Sequence, residues 1–358
     1  MIWNNKVAIV IRDLKSNGAE RVAITLAEGF LSRGLNPFII CFKKDIQLPV
    51  KKEIPILLFS ERFFRWIPRR IRGLIAAPFL DLFIKIKIGK PSLVLSNLIP
   101  ADRLLAYSRL ENVYFVIHNT TSIEISDYYP KKIAQEMEER IRIYQKKPCV
   151  CVSEGVKRDL EKLFKNCENF KAIKIYNGIQ KDSIIEASKE YSNDILENSI
   201  IHVGKFNSQK RQDKLIKAYH SIRCDYPLVF IGTGPKLEAA KELSQKLNIS
   251  HKIHFLGYKK NPYPYIKNAH LMVLCSDFEG LGMVILEAIA LNTSIISSNC
   301  PNGPTEILDD KHLFAYDNDQ KFEEKLKDAL HNPEDFQAAL KEPFCADYMV
   351  EKYLDLIN

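Results

Sequence analysis

Short apolar runs alternate with amphipathic segments along most of the chain. Val7–Ile11 is a β-branched run bounded by polar residues, which is typical of a buried strand. In Glu20–Ser32, the apolar residues Val22, Leu26 and Phe30 recur at helical spacing, which predicts a helix after that strand. An alternation of this kind indicates a parallel sheet covered by helices on both faces.

The alternation continues to about residue 152 and begins again after residue 198. We therefore expect an α/β protein with two doubly wound, Rossmann-like domains, 1–176 and 177–344, facing each other across a cleft. The last helix, within 345–358, is expected to pack back on the first domain. Further strands are predicted at Pro37–Phe42, Ile56–Phe59, Leu93–Leu95, Val113–Ile117, Val150–Val152, Ser199–Val203, Leu228–Ile231, Ile253–Phe255, Leu271–Cys275 and Ser294–Ser297, and further helices at Asp213–Ser221, Leu237–Leu247 and Leu281–Leu291.

The composition is that of an ordinary globular protein. Of the 358 residues, 46% are hydrophobic and 27% are charged, which excludes a disordered chain and a small disulfide-stapled module. The eight cysteines include no CxxC pair, so we expect buried free thiols in a reducing compartment. The first residues lack a signal-peptide pattern and no run of 18 apolar residues occurs, so a cytoplasmic location is expected.

Positive charge is concentrated in the first half of the chain. Residues 1–175 contain 31 of the 52 basic residues but only 18 of the 44 acidic ones. The segment 61–90 has eight cations, two acids and several aromatic residues, which favours contact with an anionic membrane surface on the inner face of the cell. The alternative, above all for Leu74–Ile88, is a core helix with extended cationic side chains. No nucleic-acid-binding motif accompanies the charge. The expected membrane contacts are Arg62, Arg65, Trp66, Arg69, Arg70 and Arg72.

Two loops that follow predicted strands carry residues suited to a ligand. Lys205 and Lys210 lie where a diphosphate would meet the start of a helix, although a solvated basic turn explains them as well. Gly232 and Gly234 would let the backbone approach a ligand closely, but this turn departs from the dinucleotide-binding pattern because Leu237 replaces its third glycine.

The loop after the strand at 271–275 leads into a helix that is apolar nearly all round. Gly280 and Gly282 flank the start of this helix, where backbone N–H groups are free to bind phosphate or sugar oxygens. Glu287 is predicted to be buried in the helix, and a buried carboxylate needs a partner. The partner is either the hydroxyl pair of a ribose or a cation of the core. Glu279 lies in the loop, about 12 Å or less from Glu287 along the helix axis.

Together these segments resemble the retaining glycosyltransferases of family 4, which have the two-domain GT-B fold. The order and spacing of the segments make the resemblance specific. The segment 298–307 is most similar to members that build lipopolysaccharide or capsule oligosaccharides. The resemblance rests on Glu279 and Glu287 with seven residues between them, Ser276–Phe278, the Gly-Lys-Phe-x-x-x-Lys loop at 204–210, the Gly-Thr-Gly-Pro turn at 232–235, and the segments 255–258, 153–157 and 18–21.

The resemblance implies a role for each matching position. Lys205 and Lys210 would hold the donor diphosphate, with Lys205 at a position where the family more often has arginine. Glu287 would bind the ribose, and Glu279 a hydroxyl of the transferred sugar. His118, at the end of a predicted strand, would lie beside that sugar; a structural histidine is the alternative. Backbone groups would contribute further contacts, at Leu281 and Gly282 to sugar and phosphate, at Tyr258 and Lys259 to the base, and at Gly18 to the diphosphate. Asn17 is a departure, because the family turn often has Gly-Gly there.

The implied reaction is transfer of a hexose or N-acetylhexosamine, with retention, from a UDP-sugar to a lipid-linked oligosaccharide or lipopolysaccharide acceptor. The resemblance also implies that the leaving phosphate accepts the proton of the acceptor hydroxyl. No cofactor and no metal are expected, since Asp317–Asp319 resembles a DxD metal motif but follows no comparable strand and is predicted to be a surface turn. The alternatives are a nucleotide-sugar epimerase, an inverting transferase, and a non-catalytic protein that recruits a transferase complex to the membrane.

Overall fold

A computed structural model describes residues 5–15, 18–168 and 170–357. The chain forms two compact units, the first comprising residues up to 179 and from 343 onward, the second 180–342. The sequence placed these two boundaries at 176/177 and 344/345. In each unit a parallel sheet is covered by helices, so the α/β class with two doubly wound domains is confirmed.

The first unit is built on a seven-stranded parallel sheet with the order β3-β2-β1-β4-β5-β6-β7. In the centre, Val7 of β1 pairs with Pro37 on one side and Leu93 on the other. The strands are β1 (Lys6–Ile11), β2 (Asn36–Cys41), β3 (Ile56–Leu58), β4 (Leu93–Asn97), β5 (Val113–Ile117), β6 (Cys149–Cys151) and β7 (Ala172–Lys174). The helices are α1 (Gly18–Ser32), α2 (Arg69–Lys87), α3 (Leu98–Leu105), α4 (Thr121–Tyr128), α5 (Ile133–Tyr144), α6 (Glu154–Leu163) and, from the end of the chain, α14 (Ala346–Leu354).

The central strands of this sheet are buried on both faces. Every residue of Val7–Ile11 is fully buried because helices cover both sides of β1. Helix α14 packs on α1 with its buried side chains Met349, Val350 and Tyr353. A Cβ atom on Gly29 of α1 would lie 2.2 Å from a methyl group of Val350, so the glycine allows this close approach.

The second unit is built on a six-stranded parallel sheet with the order β10-β9-β8-β11-β12-β13. Since β8 and β11 are neighbours, the loops that follow them meet at the carboxyl edge of the sheet. The strands are β8 (Ile200–Val203), β9 (Leu228–Ile231), β10 (Ile253–Phe255), β11 (Leu271–Leu274), β12 (Ile295–Ser298) and β13 (Leu313–Phe314). The helices are α7 (Lys181–Ala187), α8 (Gln212–Ser221), α9 (Leu237–Lys246), α10 (Tyr263–Lys267), α11 (Met283–Ala290), α12 (Pro304–Ile307) and α13 (Asp319–His331).

The remaining structural expectations concern cysteines, membrane spans and the acidic turn. All eight cysteines are free thiols; Cys167 and Cys345 are half-buried and the other six are buried. None of the helices in the described ranges is long and apolar enough to cross a membrane. In the acidic turn, Asn318 caps α13 by accepting a hydrogen bond from the backbone N–H of Lys321, and Asp319 begins that helix.

Candidate functional site

The loops that follow β8 and β9 are joined backbone to backbone. Gly204 N–H donates to the Ile231 carbonyl at 2.9 Å, and Phe206 N–H donates to the Thr233 carbonyl at 3.0 Å. A Cβ atom on Gly232 would lie only 2.0 Å from the Gly204 carbonyl oxygen. The close approach that this glycine allows is therefore to the neighbouring loop. Contact of the turn with a ligand stays a prediction.

Lys210 and Glu279 form an ion pair at the carboxyl edge of the second sheet. The Lys210 ammonium lies 2.5 Å from Glu279 Oε1, and the Ser276 hydroxyl donates to the same oxygen at 2.5 Å. The Glu279 carboxylate is buried, whereas the Lys210 side chain is partly exposed. The sequence assigned these two residues to separate parts of a donor, the diphosphate and the sugar. The structure brings them together because β8 and β11 are adjacent strands.

Three contacts hold the Lys210 loop against the Glu279 loop. The Gln209 amide nitrogen donates to the Phe278 carbonyl at 2.8 Å, and Asp277 N–H donates to the Gln209 carbonyl at 2.8 Å. The Arg211 guanidinium binds both oxygens of Asp277, at 3.1 and 2.9 Å. Sequence reasoning missed Gln209, Arg211 and Asp277 as residues that shape the site. The fixed positions of these backbones make the ion pair a preorganised feature.

Arg211 also bonds Asp213 in the first turn of α8, at 2.9 Å from Nε to Oδ1. Hydrogen bonds and charge from Asp213 raise the pKa of Arg211 further above its ordinary value. For Asp213, burial acts to raise the pKa, but the Arg211 hydrogen bonds and charge outweigh burial and lower it. Arg211 itself has φ +48°, a left-handed conformation that is uncommon outside glycine and asparagine.

Helix α11 begins at the edge of this cluster. Gly282 precedes the helix with φ +92°, and α11 itself is buried from Ile285 to Ala290. Its first N–H groups have no partner within the helix, and so they are suited to binding an anion. Glu287 is buried in α11, as the apolar surroundings in the sequence predicted. Its pairing with a ribose stays a prediction.

Lys205, Tyr258 and Lys259 lie in different surroundings from the central ion pair. The Lys205 side chain is exposed and has no ion pair in the described part of the chain, while its carbonyl accepts a hydrogen bond from Gln212. Tyr258 is exposed and follows Gly257, whose carbonyl accepts from Gly232 N–H at 2.8 Å. The backbone near Tyr258 is thus adjacent to the glycine turn.

The Lys259 side chain is bound by Asp194, which lies in the polar segment before β8 and was not among the predicted site residues. Asp194 also accepts hydrogen bonds from Tyr265 at 2.5 Å and Ser192 at 2.6 Å. The hydrogen bond from Lys259 has the largest effect on Asp194, and together with the other two it holds the pKa of Asp194 below its ordinary value. The Lys259–Asp194 hydrogen bond also raises the pKa of Lys259. This contact fixes the loop at 258–262, so Lys259 has a structural role.

His118 follows β5 in the first unit and contacts Asn97, the last residue of β4. The ring Nε2 lies 2.8 Å from Asn97 Oδ1. Because an amide oxygen only accepts, Nε2 carries the proton and the lone pair is on Nδ1. Burial lowers the His118 pKa to about 4, so the ring is neutral at pH 7. A neutral ring with Nδ1 as acceptor is suited to a sugar hydroxyl, and the functional role of His118 stays a prediction.

Another histidine, the fully buried His202 on β8, was not singled out in the sequence. Its Nδ1 donates to the Val273 carbonyl at 2.9 Å, and its Nε2 lies 3.3 Å from the Gln212 amide nitrogen. Burial lowers the pKa of His202 to about 4, with a smaller contribution from the charge of Lys210. His202 joins β8, β11 and α8 beneath the ion pair, and its role is structural.

The remaining predicted positions are in the first unit. Gly18 is the first residue of α1, and Asn17 lies outside the described residues. Arg69 binds Glu136 at 2.8 Å and also Glu139, while Arg72 donates to the Ile67 carbonyl at 2.9 Å. Both arginines therefore stabilise the fold. Arg62, Arg65, Trp66 and Arg70 are exposed. Within the described ranges, no three His, Cys, Asp or Glu side chains are grouped to hold a metal ion.

Two family models match the chain and together span nearly all of it. Residues 16–183 match the model described as Glycosyltransferase Family 4, and residues 180–342 match Glycosyl transferases group 1. The point where one model gives way to the other coincides with the boundary between the two structural units.

Curated relatives and a solved structure agree with these matches. The chain is 30% identical to a lipopolysaccharide 1,6-galactosyltransferase of Escherichia coli, over 37% of this chain and 38% of the relative. It is 28% identical to the N-acetylgalactosamine-N,N'-diacetylbacillosaminyl-diphospho-undecaprenol 4-alpha-N-acetylgalactosaminyltransferase of Campylobacter jejuni, over 44% of each chain. These matches span less than half the length of either relative. The fold is similar to that of Anabaena Alr3699/HepE, solved with UDP and glucose, at a TM-score of 0.76 and 14% identity over 98% of both chains.

Proposed function

Since the chain belongs to glycosyltransferase family 4, we propose that it transfers a hexose or N-acetylhexosamine from a nucleotide sugar to a lipid-linked oligosaccharide or lipopolysaccharide-type acceptor. The observation that carries the proposal is the Lys210–Glu279 ion pair beside the start of α11. A cation, a buried carboxylate and helix N–H groups are the groups needed to hold a diphosphate and an attached sugar.

In this proposal Lys210, Lys205 and the first N–H groups of α11 bind the diphosphate. Negative charge grows on the diphosphate as its bond to the anomeric carbon breaks, and positive charge develops on the sugar ring. Fixed cations and N–H dipoles stabilise that charge without reorganising, and in many enzymes this stabilisation contributes more to the rate than any other effect. Because Lys210 is only partly exposed, its charge acts in a medium less polar than water.

Glu279 is proposed to accept a hydrogen bond from a hydroxyl of the transferred sugar, and Glu287 to bind the ribose. The Lys210 ammonium shares its protons between Glu279 and the diphosphate, so donor binding weakens the ion pair. The acceptor oxygen forms a bond to the anomeric carbon on the face that the diphosphate leaves. The proton of the acceptor hydroxyl moves to the leaving phosphate oxygen, and the configuration is retained.

The donor is proposed to be a UDP-sugar, with support from the complex of the Anabaena neighbour with UDP and glucose. The acceptor is proposed from the relatives whose names specify lipopolysaccharide or a diphospho-undecaprenol. A lipid-linked acceptor places the enzyme at a membrane surface, and the proposed location is the cytoplasmic face of the cell membrane. The proposed reaction uses no metal ion and no cofactor.

A donor panel followed by product analysis tests the proposal. The melting temperature of the purified protein is measured with UDP-, GDP- and ADP-sugars. A ligand at about 100 times its dissociation constant adds about 2.7 kcal/mol to the free energy of unfolding, which raises the melting temperature by about 4 °C. The best donor is then incubated with lipid-linked acceptors, and NMR gives the anomeric configuration of the product. A UDP-α-sugar should yield an α-linked product.

Two single variants separate the loss of the Lys210 contact from the mere loss of one positive charge. They are Lys210→Ala and the matched control Lys217→Ala, which changes an exposed lysine of α8. The first variant should lose most of the donor-induced shift, and the second should keep it. Stabilisation by no nucleotide sugar, or an equal shift in both variants, would reject the assignment of this site.

A further inference from the structure

Helix α2 of the first unit has its large apolar side chains on the outside. The α2 outer face consists of residues spaced three or four apart along the helix, which are therefore on one side of it. Their exposed fractions range from 40% at Ile75 to 70% at Ile86. Soluble proteins rarely expose a contiguous patch of this kind without a function. The face is formed by Ile71, Leu74, Ile75, Phe79, Leu82 and Ile86.

The opposite face of α2 is buried and includes three small residues. Gly73, Ala76 and Ala77 are buried together with Leu80 and Ile84. A Cβ atom on Gly73 would lie 2.2 Å from the carbonyl oxygen of Arg103 in α3, so the helices touch at this residue. The close α2–α3 packing leaves no room for a larger residue there. The orientation of α2 is therefore fixed, with the α2 outer face toward solvent.

Ion pairs at the start of α2 hold the helix in this orientation. Arg69 binds Glu136 and Glu139 of α5, and Arg103 of α3 binds the same Glu139 at 2.8 Å. Asp81, the one acidic residue of α2, accepts hydrogen bonds from the Ser108 hydroxyl at 2.6 Å and the Arg109 N–H at 2.8 Å. The negative charge of the helix is thus directed toward the body of the first unit.

Exposed cations and aromatic residues surround the α2 outer face. Phe63 and Trp66, in and just after the 3-10 turn at 61–64, are 78% and 83% exposed. Tryptophan, an apolar ring system with one polar N–H, is typical of the headgroup region of a bilayer, and an exposed phenylalanine beside it adds apolar area. Exposed cations lie near both ends of the helix, Arg62, Arg65 and Arg70 at its start and Lys85, Lys87 and Lys90 at its end, of which Lys90 pairs with Glu111.

We propose that the α2 outer face, with Phe63 and Trp66, inserts into the headgroup and upper acyl region of an anionic bilayer, with α2 parallel to the membrane plane. The inference rests on the proposed function for its purpose, which is to bring the enzyme to a lipid-linked acceptor. A lipid surface fits better than a second copy of the chain, because a symmetric dimer through this face would bring like charges together. A face of six apolar side chains with cations at both ends is the arrangement of interfacial helices.

Vesicle co-sedimentation of the full chain tests this inference. Vesicles of phosphatidylcholine alone are compared with vesicles containing phosphatidylglycerol, at low and high salt. We expect binding to the anionic vesicles, weakened by salt, and at least tenfold weaker binding after Leu74→Gln, Leu82→Gln and Ile86→Gln together. Glutamine keeps helix propensity, and these positions are exposed, so the variant should fold. Ile173→Gln with Tyr191→Gln, exposed apolar residues elsewhere, is the control and should bind as the wild type does.

Trp66 provides a spectroscopic readout in a Trp3→Phe background, where it is the one remaining tryptophan. Its emission should shift to shorter wavelength on anionic vesicles and stay unchanged in the triple glutamine variant. Equal vesicle binding by the triple variant and the control overturns the proposal. A wild-type dimer that the triple variant converts to a monomer, without vesicle binding by either, overturns it in favour of self-association. Vesicle binding that persists when no sugar is transferred rejects the proposed function and leaves this inference standing.

Discussion

The Lys210–Glu279 pair permits a prediction that separates stability from turnover. Lys210→Ala leaves the Glu279 carboxylate buried with the Ser276 hydroxyl as a neutral donor. Removing one partner of a fully buried pair destabilises a protein by about 3–5 kcal/mol. Because Lys210 is partly exposed, water replaces some of its charge, and we expect a loss of about 2–3 kcal/mol in the free energy of unfolding.

The double variant Lys210→Ala with Glu279→Gln also removes the carboxylate that has lost the Lys210 ammonium. We expect it to recover most of that lost stability, with a coupling free energy of about 2 kcal/mol between the two sites. Turnover should not recover, because the cation that stabilises the leaving diphosphate is still missing. The loss of one such group costs about 3 kcal/mol of transition-state stabilisation, or about 100-fold in kcat.

The assay is urea unfolding of the four proteins of the cycle, together with kcat on the best donor. Glu279→Gln alone should destabilise less than Lys210→Ala, because the remaining ammonium is partly exposed and stays hydrated. Recovery of turnover in the double variant would refute the proposed role of Lys210 and reduce it to neutralising Glu279. Additive stability losses would show that the two charges are not coupled.

Two further predictions concern pH and the glycine turn. Burial lowers the pKa of His118 and His202 to about 4, whereas an unfolded histidine titrates near 6.5. These two groups therefore contribute stability above about pH 6.5 that is lost as the pH falls toward 4. Urea unfolding at pH 7.5, 5.5 and 4.5 should show this decrease in the free energy of unfolding, and the decrease should be smaller in His202→Gln. Gly232→Ala should destabilise by about 3 kcal/mol and weaken donor binding, because φ is +141° and the added carbon would lie 2.0 Å from the Gly204 carbonyl oxygen. Gly257→Ala, at φ +67° with nothing within 4 Å of the added carbon, should destabilise by only about 1 kcal/mol, and equal losses in thermal unfolding would contradict the clash.

The apolar runs in the centre of each sheet could be located from the sequence. The strands at 113–117 and 228–231 were predicted to the residue, because apolar, mainly β-branched and aromatic residues fill them and polar residues, proline or glycine end them. Ala172–Lys174 and Leu313–Phe314 were missed. Both are edge strands of two or three residues and have too little buried length to produce a pattern.

The residue types of the site could be predicted, but their partners could not. Lys210 and Glu279 are 69 positions apart, and Arg211 and Asp277 are 66 apart. No local pattern relates residues at such separations; the adjacency of β8 and β11 brings them together. Lys259 and Asp194 are 65 positions apart and could not be paired from the sequence either, since Asp194 lies in a polar segment that contains no ligand-binding motif.

The exposed large apolar residues of α2 do not fit the alternative of a core helix for Leu74–Ile88. A sequence pattern assigns the large apolar residues of an amphipathic helix to the protein core, because burial of their area is favourable. In α2 the contact with α3 requires a glycine, and the inner face combines small residues with Leu80 and Ile84, while six other large apolar residues lie outside. Ile71, Leu74 and Leu82 can then be buried only by contact with a partner. A bilayer with anionic headgroups offers an apolar layer for these side chains and negative charge for the cations near both ends of α2. If vesicle binding is found, close helix packing in the first unit and membrane binding have one cause, the glycine and alanine face of α2.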